Sequence, residues 1–219
     1  MNKEMLHDRM REVSNAVIDK YQDYLAHISQ SDEMRNRNRE AGYHNFVPTR
    51  SVNGIVKTLI SLKERIHKST RDWNPPKFLD AGCGAGNIML LAQKVGYSTY
   101  GIEYNPETAK IAERLSGGDV CIGDITTYYQ YGQYDVIFYY VPIRDKIKMD
   151  TFCDTLAHQM RKGAYIIPTG YRGPFTDGEI FKEVPDEGLN SWARMLQKVG
   201  KHVTPERCKD GRLKWGYLL

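Results

Sequence analysis

Apolar residues recur every three or four positions through Leu6, Met10, Val13, Val17, Tyr21, Tyr24 and Ile28, which writes one helical stripe over residues 1–29. The stripe is close to a heptad, so it fits a helix packed on its own domain and, as the alternative, the seam of a homodimer. A polar run from Ser31 to Ala41, with Arg35, Arg37 and Arg39 alternating with asparagines, reads as a solvated loop. A second stripe, Val52, Ile55, Val56, Leu59, Leu62 and Ile66, predicts a helix from Ser51 to Ile66 that Thr49 or Ser51 can cap. Asn74, Pro75 and Pro76 then interrupt the chain, since neither a helix nor a ladder runs through successive prolines. This break separates an N-terminal helical extension, 1–76, from a domain spanning 77–219.

Beyond the prolines, short apolar strands alternate with helical stretches. Strand Phe78 to Ala81 precedes helix Asn87 to Val95; strand Thr99 to Glu103 precedes helix Pro106 to Leu115, and strand Val120 to Ile122 follows. A third pairing sets strand Tyr134 to Val141 against a helix from Asp145 to Met160, with strand Ala164 to Pro168 behind it. Strands that are apolar on both faces, separated by helices, predict an α/β fold with a mostly parallel sheet covered on both sides. After Gly170 an irregular stretch leads to a predicted helix from Leu189 to Val199, with Trp192, Met195, Leu196 and Val199 inward. Asp210-Gly211 is a tight-turn dipeptide, so the chain is expected to end in an antiparallel hairpin.

Composition narrows the function classes. With 219 residues, 41% of them hydrophobic, the chain buries one sizeable core. No window approaches the roughly 18 uninterrupted apolar residues of a membrane span, and Met1 to Met10 lacks the apolar centre of a secretory signal. A soluble, cytoplasmic protein is the expectation. The net charge of +4 is too small to argue for nucleic acid by itself. Cys83, Cys121, Cys153 and Cys208 are far apart, so a zinc site is not expected and free, buried thiols are the default.

The chemistry concentrates in Phe78-Leu79-Asp80-Ala81-Gly82-Cys83-Gly84-Ala85-Gly86-Asn87, a strand entering a glycine-rich turn and then a helix. Such a turn brings backbone close to a ligand, and the helix start offers unpaired N–H donors. A dinucleotide fingerprint needs glycine where Asn87 stands; here the third glycine is Gly86, which points away from NAD. Glu103 ends the next strand, where an acidic side chain accepts both hydroxyls of a ribose. Asp80, ahead of the glycines, can meet a cationic amino group. Asp124 follows the third strand, placed to accept from an adenine amino group, with Ile125 to pack on the ring.

These residues resemble the first motif, acidic-x-Gly-x-Gly-x-Gly, and the strand context of the class I S-adenosylmethionine-dependent methyltransferases, over about Phe46 to Pro168. The resemblance implies a Rossmann-like fold with S-adenosyl-L-methionine as methyl donor. It places Asp80, Gly82, Gly84 and Gly86 around the methionine part, Glu103 at the ribose, and Asp124 with Ile125 at the adenine. A shorter likeness, in Phe46-Val47-Pro48-Thr49 and Tyr139-Tyr140-Val141-Pro142, is to the non-SET lysine methyltransferases and their bacterial relatives. It implies that Phe46, Pro48 and Thr49 line the methionine side of the cofactor and that Tyr140 and Pro142 line the acceptor's path.

The acceptor stays open among protein, RNA and small molecules, with a protein nitrogen, lysine foremost, slightly ahead. Tyr140-Val141-Pro142-Ile143 lacks the polar residue and stacking ring that base-directed amino-methyltransferases place there, which argues against adenine N6. Tyr43, Tyr139 or Tyr140 can surround an amine by cation–π contact. His44 and Asp145 are candidate bases by neighbourhood alone. The many tyrosines between Tyr97 and Tyr140 read first as strand packing and second as an acceptor pocket. A basic C-terminal cluster, Lys198, Lys201, Arg207, Lys209, Arg212 and Lys214, reads as a solvated face, with phosphate contact as the alternative. A catalytically silent cofactor-binding or interaction module is the rival of a different class.

Overall fold

The computed structural model describes residues 40, 42–43, 52–171, 175, 178, 180–185, 193–200, 206–207 and 213–214. Helix α1, Val52–Thr70, precedes the proline break. Strand β1, Lys77–Ala81, leads to α2, Asn87–Val95; β2, Ser98–Glu103, leads to α3, Pro106–Ser116; β3 is Asp119–Ile122. Strand β4, Val136–Tyr140, is followed by α4, Lys146–Gln159, and β5, Tyr165–Thr169. Short strands β6, Phe181–Glu183, β7, Leu196–Lys198, β8, Glu206–Arg207, and β9, Leu213–Lys214, complete the order.

The main sheet runs β3-β2-β1-β4-β5-β7-β6. The first five strands are parallel, and β7 is antiparallel to both neighbours. Strand order reverses between β1 and β4, so a crevice opens at their carboxyl ends, where open α/β sheets hold ligands. The β8–β9 pair is antiparallel, as the terminal hairpin requires, with its turn outside the described residues.

Each strand's alternation divides the core in two. Leu79, Ala81, Ile137, Tyr139 and Ile166 face α4 with Phe152 and Leu156. Phe78, Val136, Phe138 and Ile167 face the other way, onto Leu59 and Leu62 of α1 and Leu90 and Leu91 of α2. Helix α1 thus lies on a sheet face, sharing the domain's core; the helix expected over residues 1–29 lies outside the described residues. Local sequence sets the helix boundaries. Asn105 caps α3 by accepting from the amides of Glu107 and Thr108, with Pro106 in the first turn. Asp145 caps α4 by accepting from the Lys148 amide at 3.0 Å, so its side chain has a structural role.

Three sequence expectations are overturned. The described part of Leu189 to Val199 contains strand β7, with Ala193 bridged to Thr169, and not a helix. Met195 and Leu196 explain why: they are buried in opposite cores, which adjacent residues of a strand achieve and one helical stripe does not. The thiols also differ from expectation, since Cys83 and Cys153 are buried but Cys121 is exposed; Cys208 lies outside the described residues. Lys198 departs from the solvated basic face as well: it is buried and donates to the Ala157 carbonyl at 2.6 Å, closing the C-terminal end of α4.

Candidate functional site

The glycine turn after β1 has the backbone its sequence demands. Gly82, Gly84 and Gly86 have φ of 80°, 53° and 81°, the left-handed region that side chains with a Cβ disfavour. The amides of Gly82 and Cys83 both donate to the Ile102 carbonyl of β2, at 2.9 and 3.0 Å, which ties the turn to the neighbouring strand. A Cβ on Gly82 would lie 2.6 Å from that of Pro142, and one on Gly86 3.0 Å from the Ala112 carbonyl oxygen. Gly82 therefore seats the loop after β4, and Gly86 lets α2 approach α3.

Two carboxylates lie buried beside this turn. Glu103, the last residue of β2, accepts from the Gly84 amide on Oε2 and the Asn105 amide on Oε1, each at 3.0 Å. Each oxygen retains a lone pair for a further donor. Burial raises the Glu103 pKa, against the lowering effect of these amides. Asp80 is 3% exposed, and its pKa is pushed up to about 8, first by burial and second by the Glu103 charge. Among the described residues neither carboxylate forms an ion pair. Two buried acids without a counter-charge form a site that a cation with hydroxyl donors completes.

The loop after β3 forms the next wall. Asp124 accepts on Oδ1 from the Thr126 amide and hydroxyl, at 2.8 and 2.7 Å, and its pKa is lowered because these bonds, with Tyr43 and Lys148 nearby, outweigh its desolvation. Ile125 is buried, and its carbonyl accepts from the Tyr131 hydroxyl at 2.6 Å. Tyr131 in turn packs edge-on against Tyr128 and Phe152. Of the tyrosine-rich stretch, Tyr131 and Tyr134 are buried with Tyr128 packed against them, an aromatic core that supports this loop, while Tyr129 is exposed. Tyr131 is a positioning residue the sequence reading missed; its signal was only the spacing of aromatic residues after Asp124.

On the opposite wall, β4 ends at Tyr140, whose side chain is 38% exposed. Val141 follows with φ 29°, rare for a β-branched residue, and the buried Pro142 turns back onto Gly82. Thr169, paired in register with Tyr140, is buried with a hydroxyl that has no partner among the described residues. Tyr139 is fully buried and donates to the Tyr171 carbonyl at 2.7 Å, which removes it from the residues able to surround an acceptor. Tyr43 is bridged to Ile143 and stacked on Tyr104, on the Asp124 side of the crevice and not at Tyr140. Asp80, Gly82, Gly84, Glu103, Asp124, Ile125, Tyr140 and Pro142 thus all stand at the carboxyl end of the sheet. Phe46, Pro48, Thr49 and His44 lie outside the described residues.

Residues 79–167, which contain the glycine turn, Glu103, Asp124 and Tyr140, match the methyltransferase-domain family. The match covers less than half of the chain, and over that stretch the chain is similar to a methyltransferase domain. No curated protein matches the sequence. Among solved structures, an RNA methyltransferase from Salinibacter ruber in complex with S-adenosyl-L-homocysteine is similar at 17% identity, over 72% of this chain and 96% of that one, with a TM-score of 0.48. The magnesium protoporphyrin IX methyltransferase of Synechocystis PCC 6803 is 15% identical over 82% and 96% of the chains, with a TM-score of 0.49. DesVI of Streptomyces venezuelae is 16% identical, with a TM-score of 0.39; the match spans 60% of each chain. Among the described residues no helix is long and apolar enough to cross a membrane.

Proposed function

We propose that the chain methylates an amine nitrogen, foremost that of a protein lysine, at the Tyr140 side of the crevice. The observation that carries this reading is the position of Tyr140. Its ring is half open at the end of β4, beside the Gly82–Pro142 contact, while Tyr139 is withdrawn into the core. An exposed aromatic residue attracts an ammonium.

In this reading Asp80, with Gly82, Gly84 and Gly86, holds the methionine part of the donor. Glu103 takes the ribose hydroxyls on the lone pairs left by its two amide bonds. Asp124 accepts from the adenine amino group, with Ile125 packed on the ring. When bound, the donor would supply an electrophilic methyl on a sulfonium: the lone pair of a neutral amine would form the N–C bond as the S–C bond breaks, S-adenosylhomocysteine would leave, and the amine proton would pass to water. The protein's own work is positioning: Pro142 and Tyr140 aim the nitrogen along the axis that Asp80 and the glycine turn fix. No residue is assigned as base, since Asp145 is engaged as a helix cap.

A second reading, RNA, is favoured by Arg144, Lys146 and Lys148, all exposed on the same rim. Transfer of a tritiated methyl group from the donor into a cell lysate, divided and treated with protease or nuclease, decides between them. Label removed by protease supports the protein amine. Label removed by nuclease supports RNA, and label in small molecules refutes both.

A further inference from the structure

We infer that the Tyr43 side chain is a built-in occupant of the adenine slot, which the methyl donor must displace; this rests on the reading of Asp124 as the adenine's acceptor. The Tyr43 ring stacks on Tyr104 with centroids 4.5 Å apart and planes 24° from parallel. Tyr104 directly follows Glu103, the residue read as the ribose acceptor. The Tyr43 hydroxyl is buried with no hydrogen-bond partner among the described residues, and burial first, then the nearby Asp124, Tyr104 and Glu103, raises its pKa. A flat ring on Tyr104 with a donor group turned toward the Asp124 carboxylate has the arrangement expected of adenine and its amino group.

The spacing makes the two rings exclusive. A third ring between stacked partners needs their centroids about 7 Å apart, twice the van der Waals thickness of an aromatic ring, so 4.5 Å leaves no gap. Burial agrees at the inner end of the slot, where Tyr43 is 6% exposed, Glu103 8% and Ile125 3%, while Tyr104 is 39% exposed. A residue that merely walled an open site would present a face to that opening. Gly42 and Tyr43 are held to the loop after β4, by the Arg144 amide on the Gly42 carbonyl at 2.9 Å and the bridge of Tyr43 to Ile143. That anchor leaves rotation of the side chain as the direct way out. Tyr43 therefore lowers donor affinity by the fraction of time its ring holds the slot, a competition within one chain.

Calorimetric titration with S-adenosylhomocysteine tests this on wild type, Tyr43→Ala and Asp124→Asn. Tyr43→Ala is expected to bind about five- to tenfold tighter, the loss of a stacked pair and its burial from the free state. Asp124→Asn is expected to bind more weakly. If Asp124→Asn weakens binding and Tyr43→Ala leaves it unchanged or weaker, Tyr43 is a wall and the proposal is overturned while the adenine slot stands. If neither variant changes affinity, the slot reading itself is overturned. Because Tyr43→Ala removes a buried ring, a second measurement uses the unaltered chain: nitration by tetranitromethane, mapped by mass spectrometry. Nitration of Tyr43 that rises on adding S-adenosylhomocysteine supports displacement, and protection or no change refutes it.

Discussion

Donor binding should release a proton from Asp80. In the free protein its pKa is about 8, because burial and the Glu103 charge both oppose ionisation. At pH 7, one unit below, about nine in ten molecules carry that proton. A cationic donor within about 4–6 Å favours the carboxylate, and a shift of about two units down leaves about one in ten protonated. Binding then releases about 0.8 proton at pH 7, falling to about 0.1 at pH 5 and pH 9, where both states are alike. Affinity should rise about sixfold per pH unit around pH 7. Stability of the free protein has the opposite sense: the Asp80 pKa is raised on folding, so its contribution is full below pH 4 and is lost as pH rises through 8. Calorimetry with S-adenosylmethionine in two buffers of different ionisation enthalpy reads the proton directly. Binding heat that is independent of buffer at pH 7, or a release that survives in Asp80→Asn, refutes the reasoning.

Glu103→Gln keeps the shape but leaves one carbonyl oxygen for two amides, so Gly84 or Asn105 faces an N–H; donor affinity should fall at least tenfold by calorimetry, the loss of about 1.5–3 kcal/mol for a hydrogen bond to a charged group. Gly82→Ala forces a Cβ to 2.6 Å from that of Pro142 at φ 80°, and thermal melting should show destabilisation of about 2 kcal/mol or more together with lost methyl transfer. Tyr131→Phe removes the donor to the Ile125 carbonyl, which should reduce stability by about 1 kcal/mol and weaken donor binding, with KM for the donor rising more than kcat falls.

The sheet was legible wherever short-range chemistry decides it. Asn105-Pro106 marks a helix start, Asn74-Pro75-Pro76 marks a break, and the three glycines mark a turn whose positive φ values follow from residue type. Glu103 was legible as the acidic end of β2, since its place in a parallel sheet fixes where the carboxylate points. Long-range pairing was not. Met195 and Leu196 fit a helical stripe equally well until the sheet supplies an edge at β5 and a core on each side. The part of Tyr131 was hidden for the same reason, since it supports Ile125 through a single hydroxyl, and Tyr43, read as a residue around the acceptor, instead reaches Tyr104 from far along the chain. Lys198 looked like surface charge because only the fold brings the α4 carbonyls to it.

The most direct measurement is a crystal structure of the chain with S-adenosylhomocysteine. The ribose hydroxyls are expected within about 3 Å of Glu103, the adenine amino group on Asp124, and the Tyr43 ring moved off Tyr104. A ligand bound elsewhere, with Glu103 turned to solvent and the crevice still closed, would contradict that expectation.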